Sequence, residues 1–156
     1  MDYGKPQVGL FTPDSPSAVV LLNWFRQLES DSGARARLRR CDAPDDVVLE
    51  PAFHRLASRL DDARPTQLGP IVWLLAHVRT VDESASLGRL LQQKLSEDRF
   101  RRLLESSDRA ELANKLRAAI AVCRGRTNIL DVARTVYWWG DRERRRLATE
   151  FYGGQE

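Results

Sequence analysis

Twenty-two of the 25 basic residues in this sequence are arginine; only Lys5, Lys94 and Lys115 are lysine. A guanidinium is a planar fork that grips phosphate or carboxylate through two parallel hydrogen bonds and stacks on flat rings, which an ammonium cannot do. The chemistry on offer is therefore anion recognition rather than bond making. GC-rich coding also raises arginine content, so the positions of these residues carry more than their number. On a helix, an acid three or four residues away turns an arginine into a solvated pair worth only ~0.3–0.5 kcal/mol. An arginine without such an acid keeps its field for a partner. Arg101 lies between Glu97 and Glu105, and Arg146 between Glu143 and Glu150, so both read as structural pairs. Arg99 has no acid at either spacing. Arg102, one turn on, has Glu105 three residues away, and the two could straddle a backbone phosphate. Arg39 and Arg40 have no acid behind them, although Asp42 and Asp45 lie close in the chain. Arg142 and Arg145 project outward from the last helix, and Arg117 and Arg124, seven apart, share a line. Arg39, Arg40, Arg99, Arg102, Arg117, Arg142 and Arg145 are thus the candidate nucleic-acid-binding residues. Arg144 falls on the side of Leu147 and Phe151, either packed along its stem or aimed at a specific partner.

Signals for catalysis or metal binding are missing. His54 and His77 stand alone, and His77 lies in an apolar stretch where a core histidine is expected. The sequence holds no HExxH, no Cys/His set with metal spacing, no phosphate-cradling glycine loop and no GxSxG. The expectation is a protein with no enzymatic activity, cofactor or metal. Tyr137, Trp138 and Trp139, consecutive at a helix end, cannot all face a core. An exposed member would serve base stacking or a protein contact equally well.

The elements that must position these side chains are helices. Ser15 and Pro16 mark a helix start, with Ala18, Leu21, Leu22, Phe25 and Leu28 inward and Trp24 at the flank. A second short helix, capped by Asp31 or Ser32, is expected over 33–41, and Pro44 ends it. Helices follow from Pro51 and over 65–81; the latter is apolar nearly all round, so it should be central. A short helix over 87–95 precedes the pair formed by 96–124. There Phe100, Leu103 and Leu104 line one face, then Leu112, Leu116, Ala119, Ile120 and Cys123. Asp108 with Glu111 resembles a capping box. Gly125 closes that helix, Asn128 caps the next, and Asp141 the last. No stretch alternates with period two, so the fold class is all-α, a compact bundle of about eight or nine helices with no sheet. Residues 1–14 read as a flexible lead-in and 15–156 as a single helical domain.

At 156 residues the chain can bury a sizeable core. Its longest apolar run, 71–76, is far below the ~20 residues of a membrane span. No secretory signal is visible, and Cys41 and Cys123 read as reduced thiols, so a cytoplasmic protein without a membrane partner is expected. A net charge of +3 suits weak binding alone and useful binding once assembled.

The ordered set of a tryptophan-bearing first helix, ARARLRRC, a central apolar helix, DRFRRLLESSD, a KLRAAIAV helix and an arginine-rich closing helix ending in Phe151-Tyr152 resembles the CasB family. That family is the small subunit of the type I-E CRISPR surveillance complex called Cascade. The similarity spans about 17–152. It implies an all-helical, non-catalytic subunit present in two copies, beside the large subunit and along the repeated RNA-binding backbone subunits. Its implied partners are the displaced single-stranded DNA, the guide RNA–DNA hybrid, those Cascade subunits and a second copy of itself. By position the resemblance points to Leu38, Arg39 and Arg40, to Arg99, Phe100, Arg102, Leu103 and Leu104, and to Arg142 and Arg145. The sequence departs from the family pattern at Leu147, where a tryptophan is expected.

Overall fold

A computed structural model describes residues 9–153, and among them the regular secondary structure is almost wholly helical. Nine α-helices run in order: α1 Pro16–Glu29, α2 Ser32–Arg39, α3 Pro51–Ala57, α4 Pro65–Leu75, α5 Leu87–Lys94, α6 Glu97–Leu104, α7 Arg109–Val122, α8 Ile129–Tyr137 and α9 Asp141–Gly153. The expected all-α architecture is what the residues build. Helices α3 and α4 open on a proline without a side-chain cap, and six other starts are set by an oxygen that answers an orphan backbone N–H. Ser15 accepts from Ala18, Asp31 from Ala34, Ser86 from Arg89, Ser96 from Arg99, Asp108 from Glu111 and Asn128 from Asp131.

Helix α4 lies at the centre, as its all-round hydrophobicity requires, with every residue from Leu68 to Ala76 buried. It packs against α7, α8 and a 3-10 helix, Pro44–Leu49. That 3-10 turn follows the proline expected only to end α2, because a proline that cannot continue one helix is well placed to open the next. Helix α4 also stops earlier than the expected 81. Its last turn tightens, with His77 N–H bonding Leu74 at 3.0 Å and Val78 N–H bonding Leu75 at 3.1 Å. The freed carbonyls of Ala76 and Val78 accept from the guanidinium of Arg35 in α2.

The chain beyond α4 makes the one departure from the sheet-free expectation. Thr80–Val81 (β1) pairs in parallel with Arg126–Thr127 (β2), Thr80 opposite Arg126. Two residues are too few for a period-two pattern to register in sequence. Two further expectations are corrected. Trp24 does not flank α1 but is core, its indole donating to the Ala52 carbonyl at 2.9 Å. Within the segment expected as a loose lead-in, Leu10 and Phe11 belong to the core, Phe11 packing edge-on against Tyr137 at 5.9 Å, while Pro13 and Asp14 are exposed. Residues 1–8 of that lead-in lie outside the described residues.

Helices α5, α8 and α9 are locked together from two directions. Gly88 lets α5 touch α9, since a Cβ there would lie 2.5 Å from Glu150 Cβ and 3.0 Å from the Leu147 carbonyl. Arg146 reaches Asp131 at 3.1 Å, Glu143 at 2.7 Å and Glu150 at 2.8 Å, while Asp131 also accepts from Leu87 N–H at 2.7 Å. Three carboxylates hold the Arg146 proton more tightly than usual despite its burial, which acts the other way.

Candidate nucleic-acid interface

The ends of three helices enclose a hollow of about 550 Å³ lined by Arg39, His77, Arg79, Arg117, Ala121, Arg124 and Gly125. Arg39 is the last residue of α2, and Arg117 comes from α7, its guanidinium 5.5 Å from the centre of the Trp73 ring. Arg79 stands just before β1, and Arg124 and Gly125 form the turn that ends α7. No carboxylate lines the hollow. Among the described residues, none of these four guanidiniums makes a hydrogen bond or an ion pair, and that of Arg117 lies over Trp73.

Two neighbouring groups register the resulting positive potential. Burial lowers the proton affinity of Arg35, and the charges of Arg39 and Arg79 lower it further, partly offset by Glu29. His77 is pushed down to about 4, first by burial and then by Arg117, Arg39 and Arg35. Its Nε2 is buried without a hydrogen-bond partner. Like charges gathered without an acid are unfavourable for the bare protein and favourable for an anion that enters.

The structure distributes the seven candidates of the sequence unevenly. Arg39 and Arg117 meet in this hollow, and Arg40, the residue capping α2, is exposed. Arg79 and Arg124 join them although the sequence did not mark them as binding residues. The signal for Arg124 was its alignment with Arg117; Arg79 carried none. Arg99 and Arg102 border a second hollow of about 300 Å³ over Leu95, Leu103, Ala118 and Ala119. Arg102 is tied to Asp98 at 2.8 Å rather than to Glu105, whereas Arg99 has no charged partner among the described residues. Arg142 lines a third hollow with Arg134, Trp138, Glu143 and Arg146, and Arg145 is exposed on α9. The ion pairs expected for Arg101 and Arg146 are present, the former with Glu97 at 3.2 Å.

The question over Arg144 resolves to packing. Its guanidinium donates to the carbonyls of Leu104 at 2.9 Å and Ser106 at 2.7 Å and lies 5.0 Å over the Trp139 ring. The aromatic run is likewise tied inward. Tyr137 is fully buried, so it offers no stacking surface. Trp138 donates to Leu10 at 3.3 Å and Trp139 to Ser106 at 3.0 Å, leaving both half-buried. Burial raises both cysteine thiols above their usual range, and both thiols are free. No group of three or more His, Cys, Asp or Glu could hold a metal among the described residues, and no described helix is long and apolar enough to cross a membrane.

Helices around a central buried helix, with arginines free of acidic partners gathered at their ends, define a class: a small all-helical protein with a cluster of guanidinium groups at its surface. The family model of CRISPR-associated protein Cse2 matches residues 34–152, and the chain belongs to that family, the CasB proteins. It is 29% identical over 153 residues to the CRISPR system Cascade subunit CasB of Escherichia coli K12, covering 88% of this chain and 94% of that one. It also resembles a chain of E. coli Cascade crystallised with a PAM-containing double-stranded DNA target, with TM-score 0.71 and 29% identity over 85% of this chain and 94% of that one. Against CasB of Thermus thermophilus the TM-score is 0.63 and the identity 26%, over 89% and 99% of the two chains.

Proposed function

We propose that this chain is the small subunit of a Cascade-type CRISPR complex and holds nucleic-acid backbone there, without chemistry of its own. The observation that carries this reading is the acid-free hollow of Arg39, Arg79, Arg117 and Arg124. Its strand is the DNA displaced when the guide pairs with its target, in two copies of the subunit beside the large subunit and the repeated backbone subunits of a cytoplasmic complex. Strand exchange against a guide is nearly balanced, so a few guanidinium–phosphate contacts suffice to tip it. Such contacts fix position without reading sequence. The relative crystallised within DNA-bound Cascade supports the assignment. Arg40, Arg99, Arg102, Arg142 and Arg145 are the further contacts proposed along the same strand or the guide–target hybrid.

A second role rests on a different observation. The hollow bordered by Arg99 has a floor of Leu95, Leu103, Ala118 and Ala119, which suits a neighbouring protein better than a phosphate. On this alternative reading the arginines of α6 meet an acidic protein surface as part of a scaffold, in place of nucleic-acid backbone.

The test is a reconstituted complex carrying Arg39→Gln, Arg79→Gln and Arg117→Gln in this subunit. Assembly is expected to survive, while the displaced strand becomes open to nuclease and the target dissociates faster. Unchanged protection in a fully assembled complex would overturn the reading; loss of assembly would favour the scaffold.

A further inference from the structure

We propose that the hollow seats a discrete phosphodiester group and that Arg124 is a dedicated binding residue of that seat, held in a backbone conformation that the turn demands and a residue with a Cβ disfavours. This inference rests on the nucleic-acid reading above.

Helix α7 ends in a Schellman turn, with Gly125 N–H bonding the Ile120 carbonyl at 2.8 Å and Arg124 N–H bonding Ala121 at 2.9 Å. The residue that such a turn throws into the left-handed region is usually glycine, because a Cβ is penalised there. Here that residue is Arg124, at φ 60°, and glycine comes one position later at φ 77°. A glycine at 124 would serve the turn better. Among the described residues, no hydrogen bond or ion pair of the Arg124 side chain explains the choice either. What the side chain does is line the hollow.

The rest of the turn serves the same end. The Gly125 carbonyl accepts from Arg79 N–H at 2.8 Å and from Thr80 N–H at 3.0 Å, which fixes the strand carrying Arg79 beside the turn. The bare Cα of Gly125 makes room for the Arg79 side chain: a Cβ would lie 2.8 Å from its Cγ and 2.9 Å from its Cβ. Two arginines 45 residues apart are thereby brought to one rim, facing Arg39 and Arg117. His77 belongs to the same lining, with its Nε2 buried and without a hydrogen-bond partner. At about 550 Å³ the space has the scale of a ligand site rather than a flat contact. Guanidiniums around one hollow suit a tetrahedral group with several acceptor oxygens.

The experiment compares the full-length protein with its Arg124→Gly and Arg39→Gln/Arg117→Gln variants. Thermal unfolding and anisotropy of a labelled single-stranded oligonucleotide are followed across a salt series. Arg124→Gly is expected to raise the unfolding midpoint by about 2–4 °C. The same change should weaken binding by about fivefold at 0.1 M salt and flatten the log–log salt slope by about 0.7, the share of one phosphate contact. Stabilisation with unchanged binding, while the Arg39/Arg117 variant binds weakly, would overturn the role of Arg124 and leave the nucleic-acid reading standing. Unchanged binding in both variants would overturn both. A midpoint that does not rise would overturn the claim that the turn prefers glycine.

Discussion

Replacing Arg39 and Arg117 together by glutamine removes two of the four unpaired guanidiniums of the hollow. Each phosphate contact to a single strand contributes about 0.7 to the fall of log K with log salt. Four contacts give a slope of about −2.8, and the two that remain give about −1.4. Between 50 and 200 mM salt the unmodified protein should then lose about 50-fold in affinity and the variant only about sevenfold. Both side chains are exposed, so the fold should tolerate the change. The expected stability loss is that of the Arg117–Trp73 contact, about 0.5–1 kcal/mol. Fluorescence anisotropy with labelled oligonucleotides of two unrelated sequences measures the slopes, and the two sequences should agree within error, since backbone contacts carry no sequence information. A variant with the slope of the unmodified protein, or a strong preference between the two sequences, would refute the reasoning.

Three further outcomes follow from the packing. Gly88→Ala forces a methyl to within 2.5 Å of Glu150 Cβ. The overpacking, about 1–3 kcal/mol, outweighs a helix-propensity gain near 1 kcal/mol, so the thermal midpoint should fall; a rise would contradict the close approach of α5 and α9. Arg146→Met strands Glu143 in the interior and leaves Asp131 only Arg134 and the Leu87 N–H, at a cost of about 3 kcal/mol, read as a midpoint lowered by about 6–12 °C; a shift below about 2 °C would contradict the interlock. The ionisation of His77 links stability to pH. Its folded value of about 4 lies below the ordinary 6.5, so on acidification the unfolded chain takes up the proton first. The contribution is complete above pH 6.5 and is lost as the pH falls from 6.5 to 4. Over that interval the urea midpoint of the protein should fall relative to that of its His77→Phe variant, and parallel curves would contradict the assignment.

Much of the helical frame was legible because it is written locally. Ser15, Asp108 and Asn128 announce their helices within four residues, and the pairs of Arg101 and Arg146 follow from spacing alone. Helix α4 was legible as central because no face of it is polar. The candidate site was legible only in part, because a hollow is made of residues distant in the chain. Arg117 and Arg124 share a helix line, but Arg79 reaches them through the Gly125 carbonyl and the two-residue pairing of β1 with β2, which no period reveals. Local spacing also misassigned the partner of Arg102, since Asp98 and Glu105 are both within reach on one helix. Spacing showed that Tyr137, Trp138 and Trp139 cannot all face the core, and Trp138 and Trp139 are indeed half-buried, but it could not show their partners. Their indole N–H groups are taken by carbonyls of Leu10 and Ser106, contacts set by tertiary packing.

The most direct measurement is photocrosslinking of a substituted displaced strand to the assembled complex, with the adducts on this subunit located by mass spectrometry. If the hollow holds the strand, adducts should fall on the end of α2, on the segment around 77–79 and on the last turn of α7 through Gly125, and should disappear when Arg39, Arg79 and Arg117 are replaced. Adducts confined to α6 or α9, or unaffected by those replacements, would contradict it.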